Sequence, residues 1–147
     1  TTGVTVLDTG RARAAANATG RRGAEFDESF VQYGTKGNKV TSLGSGDLDG
    51  RPTYGLHVTL TDGVVRDYFL DPKTGLIVAL RQKTPLPSGG ASETLTKYVI
   101  WKRGGGVSMP HTFTERNTTT GKVINTLTWD TIEVNVPTSP ADFKPPR

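Results

Sequence analysis

Two histidines, His57 and His111, are the first candidates for acid–base or metal chemistry in this chain. Imidazole changes its charge near neutral pH and is the commonest metal ligand. A metal site would need both histidines together with a carboxylate such as Glu115. The two histidines lie in different predicted hairpins, and their spacing gives no reason to bring them together. The pattern therefore predicts two independent histidines on a sheet and no metal site.

Other catalytic motifs are incomplete or absent. Asp8-Thr9-Gly10 matches the Asp-Thr-Gly of aspartic proteases, but those enzymes need two such carboxylates that share a proton. One copy could act only in a homodimer, and a turn that ends a strand explains so short a motif better. No Gly-x-Ser-x-Gly elbow, phosphate loop or dinucleotide fingerprint occurs. The sequence therefore indicates no catalytic residue and no cofactor.

The composition narrows the class of protein. The chain of 147 residues is long enough for one domain with a core, and it has no cysteine for a disulfide, thiolate site or nucleophile. No apolar stretch reaches the length of a transmembrane segment. The net charge is +4, but most basic residues are dispersed among Asp and Glu. We therefore predict no nucleic-acid partner.

Alternation of apolar with polar or small residues predicts a β-strand that ends in a tight turn. The apolar positions recur at every second residue, at Tyr54, Leu56, Val58 and Leu60. Asp62-Gly63 then separates this strand from Val64–Leu70. An Asp-Gly pair between two alternating runs predicts a hairpin with a two-residue turn.

That turn would fix the register of the hairpin. It places Leu56 opposite Phe69 and Leu60 opposite Val65, with all four side chains on one buried face. On the other face it places His57 opposite Tyr68.

Further turns predict a series of antiparallel hairpins. The predicted strands are Leu76–Lys83, Glu93–Arg103, Val107–Arg116 and Lys122–Val136. A short strand at Val4–Leu7 and short helices at Arg11–Thr19 and Phe26–Tyr33 precede the sheet. We predict one mainly β domain: a looser N-terminal segment (1–38), an antiparallel meander sheet (39–137) and a Pro-rich tail (138–147).

An ordered set of turn motifs resembles a known family. The motifs are Asp49–Tyr54, Asp62-Gly63, Tyr68–Leu76, Gly106–Pro110, Ile132–Val136 and Phe143–Pro146. In their order and spacing, residues 39–146 resemble the C-terminal part of outer-membrane lipoprotein-sorting-like proteins, a carrier superfamily with a half-open barrel. The resemblance implies a curved antiparallel sheet and a periplasmic or otherwise extracytoplasmic location in a bacterium. It also implies a concave apolar face for an acyl chain, a lipoprotein or another apolar ligand, with no catalytic residues and no cofactor.

Candidate ligand-binding residues follow from this resemblance and from the apolar and aromatic positions of the strands. They are Tyr54, Leu56, Val58, Leu60, Val65, Phe69, Val78, Trp101, Phe113 and Trp129. Ordinary core packing is the alternative interpretation of the same side chains.

Two other functions stay open at this point. The chain could be an accessory or sensory domain of a larger envelope protein, with no small ligand and an exposed sheet edge that pairs with a protein partner or a second copy. It could also be a hydrolase whose site is assembled from strand residues, since His57, Arg66, Asp67 and Tyr68 cluster in one hairpin.

Overall fold

The structure, a computed structural model, describes residues 17, 20, 27–86 and 88–140 and contains a single seven-stranded sheet. The strands are β1 (Lys39–Leu48), β2 (Arg51–Thr59), β3 (Val65–Leu70), β4 (Ile77–Pro85), β5 (Ala91–Gly104), β6 (Val107–Asn117) and β7 (Val123–Thr128). They pair in sequence order, and every pair is antiparallel. The sheet stays open, with β1 and β7 at its two edges. The predicted mainly β meander is confirmed.

Of the three elements predicted before the sheet, one helix is wrong and the other two elements lie almost entirely outside the described residues. The helix predicted at Phe26–Tyr33 is wrong where it can be checked, because residues 29–37 form successive turns. The strand predicted at Val4–Leu7 lies outside the described residues, and so does the helix predicted at Arg11–Thr19 apart from Asn17. No helix in the described part of the chain is long and apolar enough to cross a membrane.

The β2–β3 hairpin closes through a three-residue loop, so the predicted two-residue turn is wrong. Leu60 N donates to Val64 O at 2.9 Å, and Gly63 N donates to Leu60 O at 3.0 Å. Asp62 uses its carboxylate instead, which accepts a hydrogen bond from Val64 N at 3.1 Å. Only Gly63 in this loop has a left-handed φ, at 83°. A three-residue loop with one left-handed glycine at its end is the next commonest hairpin connection after the two-residue turn.

The extra loop residue moves every pair in the hairpin by one position. Leu56 is opposite Tyr68, and His57 is opposite Asp67. Phe69 is opposite Gly55, and therefore lies on the other face of the sheet from Leu56. The same shift moves Val65 to that other face, because successive strand residues alternate. The predicted pairs of Leu56 with Phe69, Leu60 with Val65 and His57 with Tyr68 are wrong.

A two-residue turn does occur between β1 and β2. Leu48 pairs with Arg51, and the two residues between them, Asp49 and Gly50, have φ of 54° and 80°. Both central residues are left-handed, as a tight turn that matches the twist of the strands requires.

The last predicted strand is shorter than expected. Val123–Thr128 pairs with β6, and Trp129 N makes a final hydrogen bond to His111 O at 2.9 Å. Residues 130–136 then leave the sheet, so the prediction of one long strand to Val136 is wrong.

The core lies on one face of β2–β4, which we call the inner face. It is formed by Val58, Leu60, Val64, Tyr68 and Ile77. The segment 27–38 packs over this face: the ring of Phe30 meets the ring of Tyr68 edge-on, with centroids 4.9 Å apart. The alternation of β2 predicted its buried positions Val58 and Leu60 correctly, and only the partners from β3 were misplaced.

Candidate functional site

A buried polar network ties segment 27–38 to the inner face. The hydroxyl of Tyr68 donates to Glu28 Oε2 at 2.9 Å and lies 2.6 Å from Ser29 Oγ. Arg66 donates to Ser29 Oγ at 3.0 Å and to Gln82 Oε1 at 2.9 Å. Burial, followed by the nearby charge of Glu28, raises the pKa of Tyr68 above its usual value. Because its members bond one another, this network is suited to holding the segment in place rather than to binding a substrate.

A row of apolar side chains continues the inner face beyond that network. Tyr98 pairs with Phe113, and Phe113 pairs with Leu127, so the three residues stand side by side on β5, β6 and β7. They share the inner face because Tyr68 pairs with Leu80 and Leu80 with Thr96, two residues before Tyr98. We call Tyr98, Phe113 and Leu127 the apolar row.

The apolar row is only half-buried. The ring centroids of Tyr98 lie 6.2 Å from Phe113 and 5.9 Å from Trp101, in tilted arrangements. Burial, then the charge of Glu28, raises the pKa of Tyr98 to about 12. The phenol therefore lies in surroundings that disfavour a charge, although the row is partly open to solvent.

The two halves of the sheet differ in how much of their apolar surface is covered. Every buried hydrophobic residue among those described lies in β2–β4 or the loops beside them. On β5–β7 and the segment that follows, large apolar side chains are open to solvent: Val99 is 62 % exposed, Ile124 55 % and Trp129 47 %.

The structure divides the predicted ligand-binding residues between several environments. Tyr54, Leu56, Val58 and Leu60 lie on the inner-face side of β2. Val58 and Leu60 belong to the core, Val78 of β4 is buried but is not part of that cluster, and Tyr54 is exposed. These side chains do not form one open surface.

The remaining predicted residues are equally dispersed. Val65 and Phe69 lie on the outer face, where the guanidinium of Arg81 stands over the Phe69 ring at 5.5 Å. Trp101 packs against the core, and Trp129 is exposed after the end of β7. Only Phe113 lies in the apolar row.

Sequence reasoning missed two members of that row. Tyr98 and Leu127 lie in predicted strands, but their place beside Phe113 depends on the register of three strands. Alternation within each strand gives the face of a residue and not its cross-strand partner, so no local signal could have grouped them.

The four polar residues considered for a hydrolase site lie on two opposite faces of the sheet. His57 Nδ1 lies 2.6 Å from Asp67 Oδ1 on the outer face, and Arg81 approaches the other oxygen of Asp67 at 3.9 Å. Arg66 and Tyr68 lie on the inner face instead. Within residues 27–86 and 88–140 no hydroxyl bonds to the second nitrogen of His57, and no group of three potential ligands could hold a metal ion. Asp67 thus orients the imidazole of His57, but no nucleophile bonds to this imidazole in the described part of the chain.

Comparisons with known proteins give a similarity to a solved structure. No protein family matches the chain, and no curated protein matches it. The chain is similar to a solved outer membrane lipoprotein-sorting protein domain from Vibrio parahaemolyticus, with 15% sequence identity and a TM-score of 0.45. The similarity covers 67% of this chain and 45% of that one, so the chain spans less than half of that protein's length. That domain carries the name of the family that residues 39–146 resemble in their turn motifs.

Proposed function

We propose that the chain is a non-catalytic extracytoplasmic domain that binds an acyl chain, or another apolar ligand, against the apolar row. The observation that carries this proposal is the difference between the two halves of the inner face. The β2–β4 half is covered by segment 27–38, whereas Tyr98, Phe113 and Leu127 continue the same face half-buried. A ligand laid along the row would bury that surface, which is worth about 25 cal/mol per Å² of apolar area.

The choice of ligand rests on the chemistry of the row and on the ordered turn motifs. The row offers aromatic and aliphatic carbon beside a phenol whose surroundings disfavour charge, which suits a hydrocarbon better than a polar solute. The motifs resemble those of lipoprotein-sorting-like carriers, and this resemblance supports both the acyl chain and the extracytoplasmic location.

Titration of the purified chain with a fluorescent fatty acid tests the proposal. Phe113→Ala and Leu127→Ala should each weaken binding about tenfold, because each removes apolar contact area from the ligand. Leu95→Ala is the matched control: Leu95 is half-buried like Leu127, but it pairs with Arg81 and Arg116 on the outer face. We expect this control to bind like the wild-type chain.

Two results would overturn the proposal. One is the absence of saturable binding, combined with no acyl species in mass spectra of lipid extracts from the purified protein. The other is an equal loss of affinity in Leu95→Ala and Leu127→Ala, since a general destabilisation would then explain both.

A second candidate function, strand pairing with a partner or a second copy, is favoured by the edge strand β7. Its sequence Val123–Thr128 contains no charged residue and no proline, and all of it except Leu127 is exposed. Edge strands are commonly protected by such residues, so β7 is open to strand addition. Sedimentation velocity at several concentrations tests self-association, with Thr126→Pro as the variant that blocks the edge. A monomer at every concentration would reject pairing with a second copy.

A further inference from the structure

A separate cavity lies at the end of the β5–β6 hairpin. After Trp129 the chain turns across this hairpin, and the carbonyl of Ile132 comes within 3.9 Å of the point that a Cβ on Gly104 would occupy. Val134 packs against the glycine turn at Gly105 so closely that a Cβ there would overlap it. Between this crossing segment and the two strands remains a cavity of about 200 Å³.

The cavity contains a buried histidine. His111 lines it and is only 7% exposed, and among residues 27–86 and 88–140 neither Nδ1 nor Nε2 has a hydrogen-bond partner. Buried polar side-chain atoms nearly always have a partner, so the two ring nitrogens of His111 are available to a group bound in the cavity. Both nitrogens can serve as donors when the ring is protonated, and one donor and one acceptor are available when it is neutral.

The charges around the cavity identify the kind of ligand. Lys102 and Arg103 line it from β5, and Asp130 lines it from the crossing segment. In the described part of the structure neither cation forms an ion pair or a side-chain hydrogen bond. Two cations against one carboxylate, beside an unpaired imidazole, favour an anion with several acceptor oxygens.

We infer that this cavity binds a small anionic group, a phosphate or a carboxylate, with His111 as the buried hydrogen-bonding partner and the exposed Lys102 and Arg103 as the source of positive charge around it. The volume is several times the roughly 30 Å³ share of one water molecule and below the roughly 300 Å³ of the smallest drug-sized pockets. It therefore suits a group of a few heavy atoms. The inference stands apart from the apolar row, since none of the row's residues lines the cavity.

Nuclear magnetic resonance of the two imidazoles tests the inference within one molecule. Titration with inorganic phosphate should shift the ring ¹⁵N signals of His111 to saturation and leave those of His57, which lies on β2, unchanged. The double variant Lys102→Ala/Arg103→Ala should weaken this response at least about tenfold. Both replaced residues are exposed, so the variant should fold. The control is the double variant Lys39→Ala/Lys122→Ala, which removes two exposed lysines, one at the start of β1 and one just before β7.

Acetate and vesicles of phosphatidylglycerol extend the titration and separate the possible sources of the anion. Saturation by phosphate or acetate supports a free small anion, and saturation by the vesicles alone supports a lipid head group in the same cavity. The inference is overturned if none of the three probes shifts His111 selectively, or if the Lys102/Arg103 variant responds like the wild type. Fatty-acid binding to the apolar row can persist in either case, so the two proposals fail independently.

Discussion

Leu56 and Tyr68 lie directly opposite each other across β2 and β3, and both contribute to the core. This pairing brings a tyrosine to a fully buried position, where its hydroxyl must find partners in the protein. Those partners, Glu28 and Ser29, come from the segment that packs over the inner face. The register of one hairpin thereby determines how the N-terminal segment is attached to the sheet.

Replacing Tyr68 with Phe should destabilise the fold by about 1–3 kcal/mol, because it removes the contacts of the buried hydroxyl with Ser29 and Glu28. Tyr54→Phe is a matched control: the Tyr54 hydroxyl also lies close to a serine, Ser42, at 2.8 Å, but at an exposed site. Its loss should stay below about 0.5 kcal/mol. Urea denaturation of both variants measures the difference, and equal losses would contradict a stabilising role for the buried network.

The three-residue loop predicts that replacing Gly63 lowers the stability of the fold. An alanine there would meet only ordinary contact, 3.6 Å from Pro85 Cγ, but it would have to adopt the left-handed φ of 83°. We expect Gly63→Ala to destabilise the protein by about 1 kcal/mol. Gly46 of β1 has no left-handed φ, and the nearest atom to an added Cβ is 4.0 Å away. Gly46→Ala should therefore be neutral or slightly stabilising in the same denaturation assay, and a larger loss there than at Gly63 would refute this account of the loop.

Strands β2–β6, and β7 as the first part of a longer predicted strand, were predicted from the sequence, whereas β1 and the register of the β2–β3 hairpin were not. Asp-Gly is compatible with a two-residue turn, as at Asp49-Gly50, and with the last two residues of a three-residue loop, as at Asp62-Gly63. In the two-residue turn the aspartate has a left-handed φ, whereas in the three-residue loop only the glycine does. One signal did favour the longer loop: the two-residue turn places Asp67 opposite Val58 on the apolar face, whereas the observed register pairs it with His57.

The segment after β7 shows a second limit of sequence reasoning. Ile132, Val134 and Val136 alternate with polar residues as in a strand, yet they lie outside the sheet. Two of these side chains are half-buried against other parts of the fold, so tertiary packing rather than pairing explains their spacing. For the same reason the cavity beside His111 could not be predicted, since its third wall is this departing segment.

The turns that begin at Asp71 and at Asn117 have the same hydrogen bonds, so replacing Asp71 with Asn tests the effect of its charge alone. Asp71 and Asn117 each accept a backbone hydrogen bond from a glycine four residues later, at 2.8 and 2.9 Å, and each side chain accepts one from the residue before that glycine. Asp71 additionally pairs with Arg51 at 2.7 Å. Arg51 first, and then the backbone donors of the turn, hold the pKa of Asp71 well below its usual range.

Asp71→Asn should consequently preserve the turn and alter the dependence of stability on pH. The lowered pKa means that ionised Asp71 favours the folded state above the unfolded pKa of about 3.9, and that this contribution is lost as the pH falls toward the folded value. The difference in unfolding free energy between pH 7 and pH 3 should be smaller in Asp71→Asn than in the wild type. Arg51→Gln should reduce the same difference, and a wild-type pH dependence in both variants would exclude the ion pair as its source.

The raised pKa of Tyr98 predicts an effect at the alkaline end of the pH range. Because the folded value of about 12 exceeds the unfolded value of roughly 10, the neutral phenol favours the folded state below pH 10, and this contribution disappears as the pH rises toward 12. In a spectrophotometric titration of the folded protein, Tyr98→Phe should remove an absorbance component that ionises near pH 12, whereas Tyr54→Phe should leave it in place. A bound acyl chain would exclude water from the same ring and should move this component to still higher pH. If an acyl ligand binds but the titration of Tyr98 stays where it was, the ligand does not lie on the apolar row.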